Sequence, residues 1–337
     1  MAGFRKAKAE QAALKVGMYG PQGSGKTLTT LLILEGLAKL SGKRFAYVDT
    51  EHGTDFYAKH VPERTIHPEP FDFDALYTRS ITEVGAECRK LDPTVYCGVG
   101  IDSMTHMWEA AIAAYCGNKT RIGSIPMHGW GVIKKPYREL MHWVINCPLH
   151  VFIVGRQGTE FAEDESGELK NVGYKMKAEG ETAYEPHILI RMEAMKPIPQ
   201  RGKRPNAHAV AVPTAFVEKD RSSILHGKLI EWPNFENVAR PLLHLLGDQQ
   251  AKIRSEDETA AADAEVLAEA ERTKEHRSKQ LLEEFRARFL LAKERNQVAE
   301  VEKAITPEIK KEMLTVHVNE LRDVCMEARQ RAAIVSV

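Results

Sequence analysis

The sequence predicts an α/β fold, a mostly parallel, doubly wound sheet followed by a small C-terminal helical region. Up to about Leu246, short apolar runs alternate with helical patterns, the signature of a sheet covered by helices on both faces. Gly20, Pro21, Gln22, Gly23, Ser24, Gly25, Lys26 and Thr27 fit G-x-x-x-x-G-K-[ST] and lie between a predicted strand and a predicted helix, the context this motif requires. After Gly247 the large apolar residues thin out and alanine and charge replace them.

The first strand is expected at 14–19, where Leu14, Val16 and Met18 alternate with other residues. The helix that follows the glycine-rich turn starts near Leu28 and runs through Leu37. Further strands are expected at 44–49, 95–102, 150–154, 188–194 and 209–217. The last two bracket a segment whose Pro197, Pro199, Gly202 and Pro205 cannot continue a central strand, so they read as a hairpin with a basic tip at 196–204. Residues 255–275 read as a solvated helix or a linker. Beyond it Leu281, Leu282, Phe285, Phe289, Val298, Val301 and Ile305 recur at helical spacing, and Thr306 with Pro307 starts another helix. The domains expected are therefore a core at 1–247, a charged, alanine-rich linker or helix at 248–278, and a helical hairpin or bundle at 279–337.

Composition narrows the function classes. Of 337 residues 43% are hydrophobic, ample for a buried core, and no apolar run approaches the length of a membrane span. Lysine plus arginine equals aspartate plus glutamate at 47 each, so any contact with nucleic acid must be a local patch. The 5 cysteines form no C-x-x-C pair and the 13 histidines no paired ligand spacing, which argues against a zinc knuckle and suits a reducing cytoplasm. The basic N-terminus lacks an apolar stretch after it, so a cytosolic protein without a membrane partner is expected.

The motif carries its own chemistry. The glycines let backbone N–H groups curl around a phosphate while the following helix points its positive end at the same anion. Lys26 is expected to reach the β and γ phosphates of ATP, and Thr27 to place its hydroxyl on Mg²⁺. The predicted strand at 95–102, expected beside the first strand, ends in Asp102, placed to hold the magnesium water shell. The strand at 44–49 leads into Glu51 at the carboxyl edge, where ligands of open α/β sheets bind, so Glu51 is the candidate to orient the attacking water. The strand at 150–154 has Arg156 and Gln157 at its tip, either of which could sense a γ-phosphate.

Together with the segment from Asn171 through Tyr184, these motifs resemble the phage-encoded AAA/RecA-type ATPases, and are especially similar to the compact RecA-core proteins of the Sak group implicated in single-strand annealing and recombination. The resemblance covers about residues 10 to 247. It implies a RecA-like P-loop core in which Glu51 activates water, Asp102 is the Walker B acid and Gln157 a sensor opening a DNA-facing loop. It also implies that Lys175 and Lys177 complete the site of a neighbouring subunit; one residue apart in an extended segment, they project on one face. The partners implied are single-stranded DNA, a single-stranded-DNA-binding protein and further copies of the chain in a filament or ring.

Two features depart from that pattern. Residues 158–168 are acidic, the wrong sign for gripping phosphates, which leaves Lys119 and Arg121, the 196–204 tip, and Arg5, Lys6 and Lys8 as DNA-contact candidates. No separate homology-search domain is evident. Alternative readings are a ring-forming DNA motor or loader, a small-molecule kinase, which would want an arginine-rich lid that is not found, and a nucleotide-gated scaffold in which Glu51 is a turn acid.

Overall fold

Parallel strand ladders alternate with helices in the first half of the chain. The structure, a computed structural model, describes residue 6 and residues 12–117, 125–164, 167–195, 211–247, 253 and 255–334. The chain divides into two compact units, Met1–Ile253 and Arg254–Val337.

In chain order the first unit contains β1 (Lys15–Gly20), α1 (Lys26–Ser41), β2 (Arg44–Asp49), β3 (Asp74–Tyr77), α2 (Ile81–Cys88), β4 (Tyr96–Asp102), α3 (Met104–Cys116), α4 (Met127–Asn146), β5 (His150–Glu163), β6 (Leu169–Lys177), β7 (Ile188–Met195), β8 (Val212–Asp220) and β9 (Leu229–Glu231). The strands form one sheet in the order β3-β2-β4-β5-β1-β7-β8-β9, with β6 pairing the outer half of β5. Pairing is parallel from β3 through β7 and antiparallel for β5–β6, β7–β8 and β8–β9.

Both faces are covered, and the strands show why. In β2, Phe45 and Tyr47 pack with Leu31, Leu34 and Leu37 of α1, whereas Ala46 and Val48 pack with Val84 of α2 and Leu140 and Val144 of α4. A strand buried on both faces is apolar throughout rather than alternating. The approach of α1 is close: a Cβ at Gly100 would lie 2.6 Å from the Tyr47 ring and 3.2 Å from Leu34.

Several expectations are corrected. The strand expected at 150–154 runs on to Glu163, because β6 supplies an antiparallel ladder from Arg156↔Lys177 to Glu163↔Leu169; the acidic segment after Gln157 is thus largely hairpin arm. Gln157 consequently sits inside a strand opposite Met176, not at the start of a loop. The strand of Asp102 does not lie beside the strand leading to the glycine-rich turn, since β5 is inserted between β4 and β1. Strands β3, β6 and β9 were not expected; each is short or exposed and depends on its neighbour. The last predicted strand lies at Val212–Asp220 rather than 209–217, because Lys219 and Asp220 pair with the start of β7; the 196–204 tip falls outside the described residues.

The second unit is helical: α5 (Glu256–Leu291), α6 (Arg295–Ala304), α7 (Pro307–Glu312) and α8 (Thr315–Ile334). A capping box starts α5, with Ser255 accepting the Glu258 N–H and the Glu258 side chain accepting the Ser255 N–H; the helix is continuous across position 278. Leu281, Leu282, Phe285, Phe289, Val298 and Val301 form its core with Leu321 and Ala328. Thr306 caps α7, with Pro307 at the first position. No described helix is long and apolar enough to cross a membrane.

Candidate active site

The glycine-rich loop bends where β1 ends. A Cβ at Gly20 would collide with the Met192 carbonyl of β7, so the loop leaves the sheet through a space only glycine fits. Gly25, at φ 89°, turns the chain into α1 through the left-handed region. The first N–H groups of α1 consequently face the loop, an anion-binding arrangement. Ser24 Oγ donates to the Pro21 carbonyl at 2.8 Å, and Lys26 Nζ donates to the carbonyls of Gly20 at 3.0 Å and Pro21 at 2.8 Å. Burial pulls the Lys26 ammonium below its ordinary pKa, while the carboxylates of Asp102 and Glu51 oppose the shift.

Although β5 separates their strands, Thr27 and Asp102 meet. Thr27 Oγ1 donates to Asp102 Oδ2 at 2.7 Å because the first turn of α1 reaches over to the end of β4. Tyr47 donates its phenol to the same oxygen at 3.1 Å. Burial raises the Asp102 carboxyl above its usual range, against the hydrogen bonds from Thr27 and Tyr47 and the charge of Lys26. At the end of β2, Asp49 accepts from the Glu51 N–H at 2.8 Å and from the Thr54 N–H and hydroxyl at 2.8 and 2.6 Å. Its burial is outweighed by these hydrogen bonds, so its carboxyl stays low and ionised, fixing the turn that carries Glu51.

Glu51 faces two nitrogen-bearing side chains. Its Oε1 accepts from the Arg156 guanidinium at 2.7 Å and lies 3.2 Å from His106 Nδ1. His106 is 8% exposed, and burial pulls its pKa below the ordinary histidine value, against the charge of Glu51. The Thr50 hydroxyl lies 2.7 Å from Nδ1 and itself accepts the Ser103 N–H at 3.0 Å. Gln157 Oε1 is buried with no hydrogen-bond partner among the described residues.

Residues Gly20, Pro21, Gln22, Gly23, Lys26, Thr27, Glu51, Asp102, Arg156 and Gln157 line one cleft of about 440 Å³ at the carboxyl edge of the sheet. Ser24 and Gly25 lie beneath and behind the loop without lining it. Lys175 and Lys177 are exposed on β6, outside this lining; Lys177 pairs with Glu109 of α3 at 2.8 Å. Among the DNA-contact candidates Lys6 is exposed, and Arg5, Lys8, Lys119, Arg121 and the 196–204 tip lie outside the described residues.

Sequence reasoning missed Tyr47, Thr50, Thr54 and His106. Tyr47 carried a signal, since a phenol inside a strand buried on both faces must find a partner for its hydroxyl. His106, four residues after Asp102, carried no signal beyond proximity.

Among the described residues no cluster of three histidine, cysteine, aspartate or glutamate side chains is arranged to hold a metal by protein ligands alone. No curated protein matches the chain. A family model described as an AAA domain matches residues 12–208, more than half of the 337 residues, and the chain thus belongs to that family of P-loop ATPases.

Proposed function

We propose that this chain is a Mg²⁺-dependent ATPase that acts on single-stranded DNA as a homo-oligomer, in recombination or annealing of the phage type its sequence resembles. The carrying observation is the convergence of Lys26, Thr27, Asp102, Glu51 and Gln157 on one cleft at the carboxyl edge of a parallel sheet. The residues present fit the ligands. The loop leaves room only for backbone at Gly20, the N-terminus of α1 faces it, and the buried Gln157 Oε1 lacks a donor among the described residues. Thr27 and Asp102 are the oxygen pair that would hold Mg²⁺ through its water shell, as the hard cation prefers. Magnesium, when bound, neutralises phosphate charge and so favours displacement at phosphorus.

The chain's own residues do the rest. Lys26 now spends its donors on two loop carbonyls and can exchange them for phosphate oxygens, a charge-assisted replacement. Glu51 takes a proton from the attacking water, and Gln157, which lines the same cleft, senses the γ-phosphate.

Support for the anionic partner and the oligomer comes from the β5–β6 hairpin, which leaves the same edge. Its alternation puts Arg156, Lys175 and Lys177 on one face. In an assembly Lys177 would exchange Glu109 for a neighbour's phosphates, and a single-stranded-DNA-binding protein is the accessory partner this reading implies. The test is ATP hydrolysis without nucleic acid, with single strands and with duplex, at two salt concentrations. Stimulation by single strands that fades with salt supports the reading; turnover indifferent to DNA removes the DNA part and leaves the ATPase. Lys175→Ala with Lys177→Ala is expected to spare nucleotide binding and lose assembly-dependent turnover; an unchanged rate in the oligomer removes the neighbour role.

A further inference from the structure

Arg156 is a cleft residue whose present partner is the very group assigned to the attacking water. Its guanidinium donates to Glu51 Oε1 at 2.7 Å, and an oxygen engaged this way is occupied where water would approach it. Both side chains line the same cleft as Lys26 and Thr27.

We propose that Arg156 is the residue by which this site tells a nucleoside triphosphate from a diphosphate, and that it is kept on Glu51 as a latch until a terminal phosphate takes it away. The inference rests on the ATPase reading. Three observations carry it. The pair is weakly held, because the side chains of Arg156 and Glu51 are 50% and 48% exposed and water screens their attraction. A terminal phosphate offers the planar guanidinium two oxygens and more charge than a carboxylate does, so it is the stronger partner. The exchange requires motion of one side chain only. The backbone of Arg156 is fixed by its register against Gly20 and Lys177 and by its N–H, which donates to Thr105 Oγ1 at 2.9 Å.

His106 Nδ1 lies 3.2 Å from the same Glu51 oxygen, and the Glu51 N–H is held by the Asp49 carboxylate at 2.8 Å. When Arg156 leaves, that turn keeps Glu51 at the cleft, and the oxygen that Arg156 occupied opens to water. A triphosphate thereby frees the base that its own hydrolysis needs, and a diphosphate, lacking the terminal group, leaves the latch shut.

The latch predicts a coupling that is read in binding, without turnover. Calorimetric titrations would use ADP and a β,γ-imido analogue of ATP, with wild type, Arg156→Ala, Glu51→Gln and the double variant, each checked for folding by circular dichroism. Glu51→Gln breaks the pair and is expected to tighten the analogue by about threefold, the size of a half-exposed ion pair, with ADP unchanged. Arg156→Ala is expected to weaken the analogue by about tenfold and leave ADP within about twofold. In the Arg156→Ala background, Glu51→Gln should then do nothing to either ligand. Should Arg156→Ala fail to fold, Arg156→Lys, which keeps the charge and loses the fork, is expected to show the same loss of discrimination in part.

Equal weakening of both nucleotides by loss of Arg156, or a Glu51→Gln effect that persists without Arg156, overturns the latch while the ATPase reading stands. A wild-type protein that binds neither nucleotide overturns both.

Discussion

The two edges of the sheet carry a buried lysine and a half-buried one, and the two have opposite characters. Lys15 opens β1 at the amino edge, 1% exposed, with Nζ donating to the carbonyls of Cys147 at 2.8 Å and Leu149 at 2.7 Å and to Cys147 Sγ at 3.1 Å. Its three donors all go to the short connection between α4 and β5. Lys26, just past the carboxyl edge, donates to two carbonyls of its own loop, beside a cleft it also lines. Burial lowers the pKa of both. Burial therefore does not distinguish a structural lysine from a functional one. The distinction lies in whether the partners are exchangeable and whether a ligand can reach them.

That contrast can be broken at either edge. The largest effect is expected from Lys26→Ala, which should weaken binding of an ATP analogue by about a hundredfold or more while the melting temperature stays within about 2 °C of wild type. A large loss of stability with binding intact would reverse the assignment of the two lysines. Next comes Glu51→Gln, expected to cost about two decades or more of turnover with nucleotide still bound, the scale of a positioned base. Near-normal hydrolysis by that variant removes Glu51 from the mechanism.

Lys15→Ala should do the opposite of Lys26→Ala. It strands the carbonyls of Cys147 and Leu149 and leaves a cavity, so it is expected to cost about 3 kcal/mol of unfolding free energy with nucleotide affinity unchanged in the folded fraction. Chemical denaturation with a parallel titration reads both.

The last test sharpens the amino edge further. His150 Nδ1 accepts the Leu14 N–H at 3.0 Å, and burial, helped by the charges of Lys15 and Lys43, pushes its pKa down to about 4. The unfolded chain, in which the ordinary histidine value of 6.5 applies, binds the proton more readily, so stability present above that pH is lost as pH falls toward 4. The loss for this group is up to about 3 kcal/mol, and His150→Asn should flatten the slope. His187, also pushed down to about 4 by burial, leaves a residual slope in that variant. An unaltered pH profile in His150→Asn would show that its protonation is not what the amino edge resists.

Much of this was legible in the sequence, and for a common reason. The glycine-rich loop, the helix after it, Asp102 at a strand end, the capped start at Thr306 and the apolar spacing from Leu281 to Val301 are local patterns, set by backbone conformations and periodicities within a few residues. Gly25 is needed because its φ is positive, and that requirement is written at the position itself.

What only the tertiary structure decided is which of these local features meet. Thr27 and Asp102 are 75 residues apart, Tyr47 and Asp102 are 55 apart, and Arg156 and Glu51 are 105 apart. Their contacts depend on the strand order β2-β4-β5-β1, and no single segment specifies that order. The same holds for the run of β5 beyond Val154. A polar stretch such as Gly158 to Glu163 has little strand preference of its own and is extended because β6 pairs with it. The sequence by itself determined the chemistry of each group and the local backbone that carries it. The fold decided which groups share a cleft, because long-range pairing is settled by the packing of the whole sheet and not by any stretch within it.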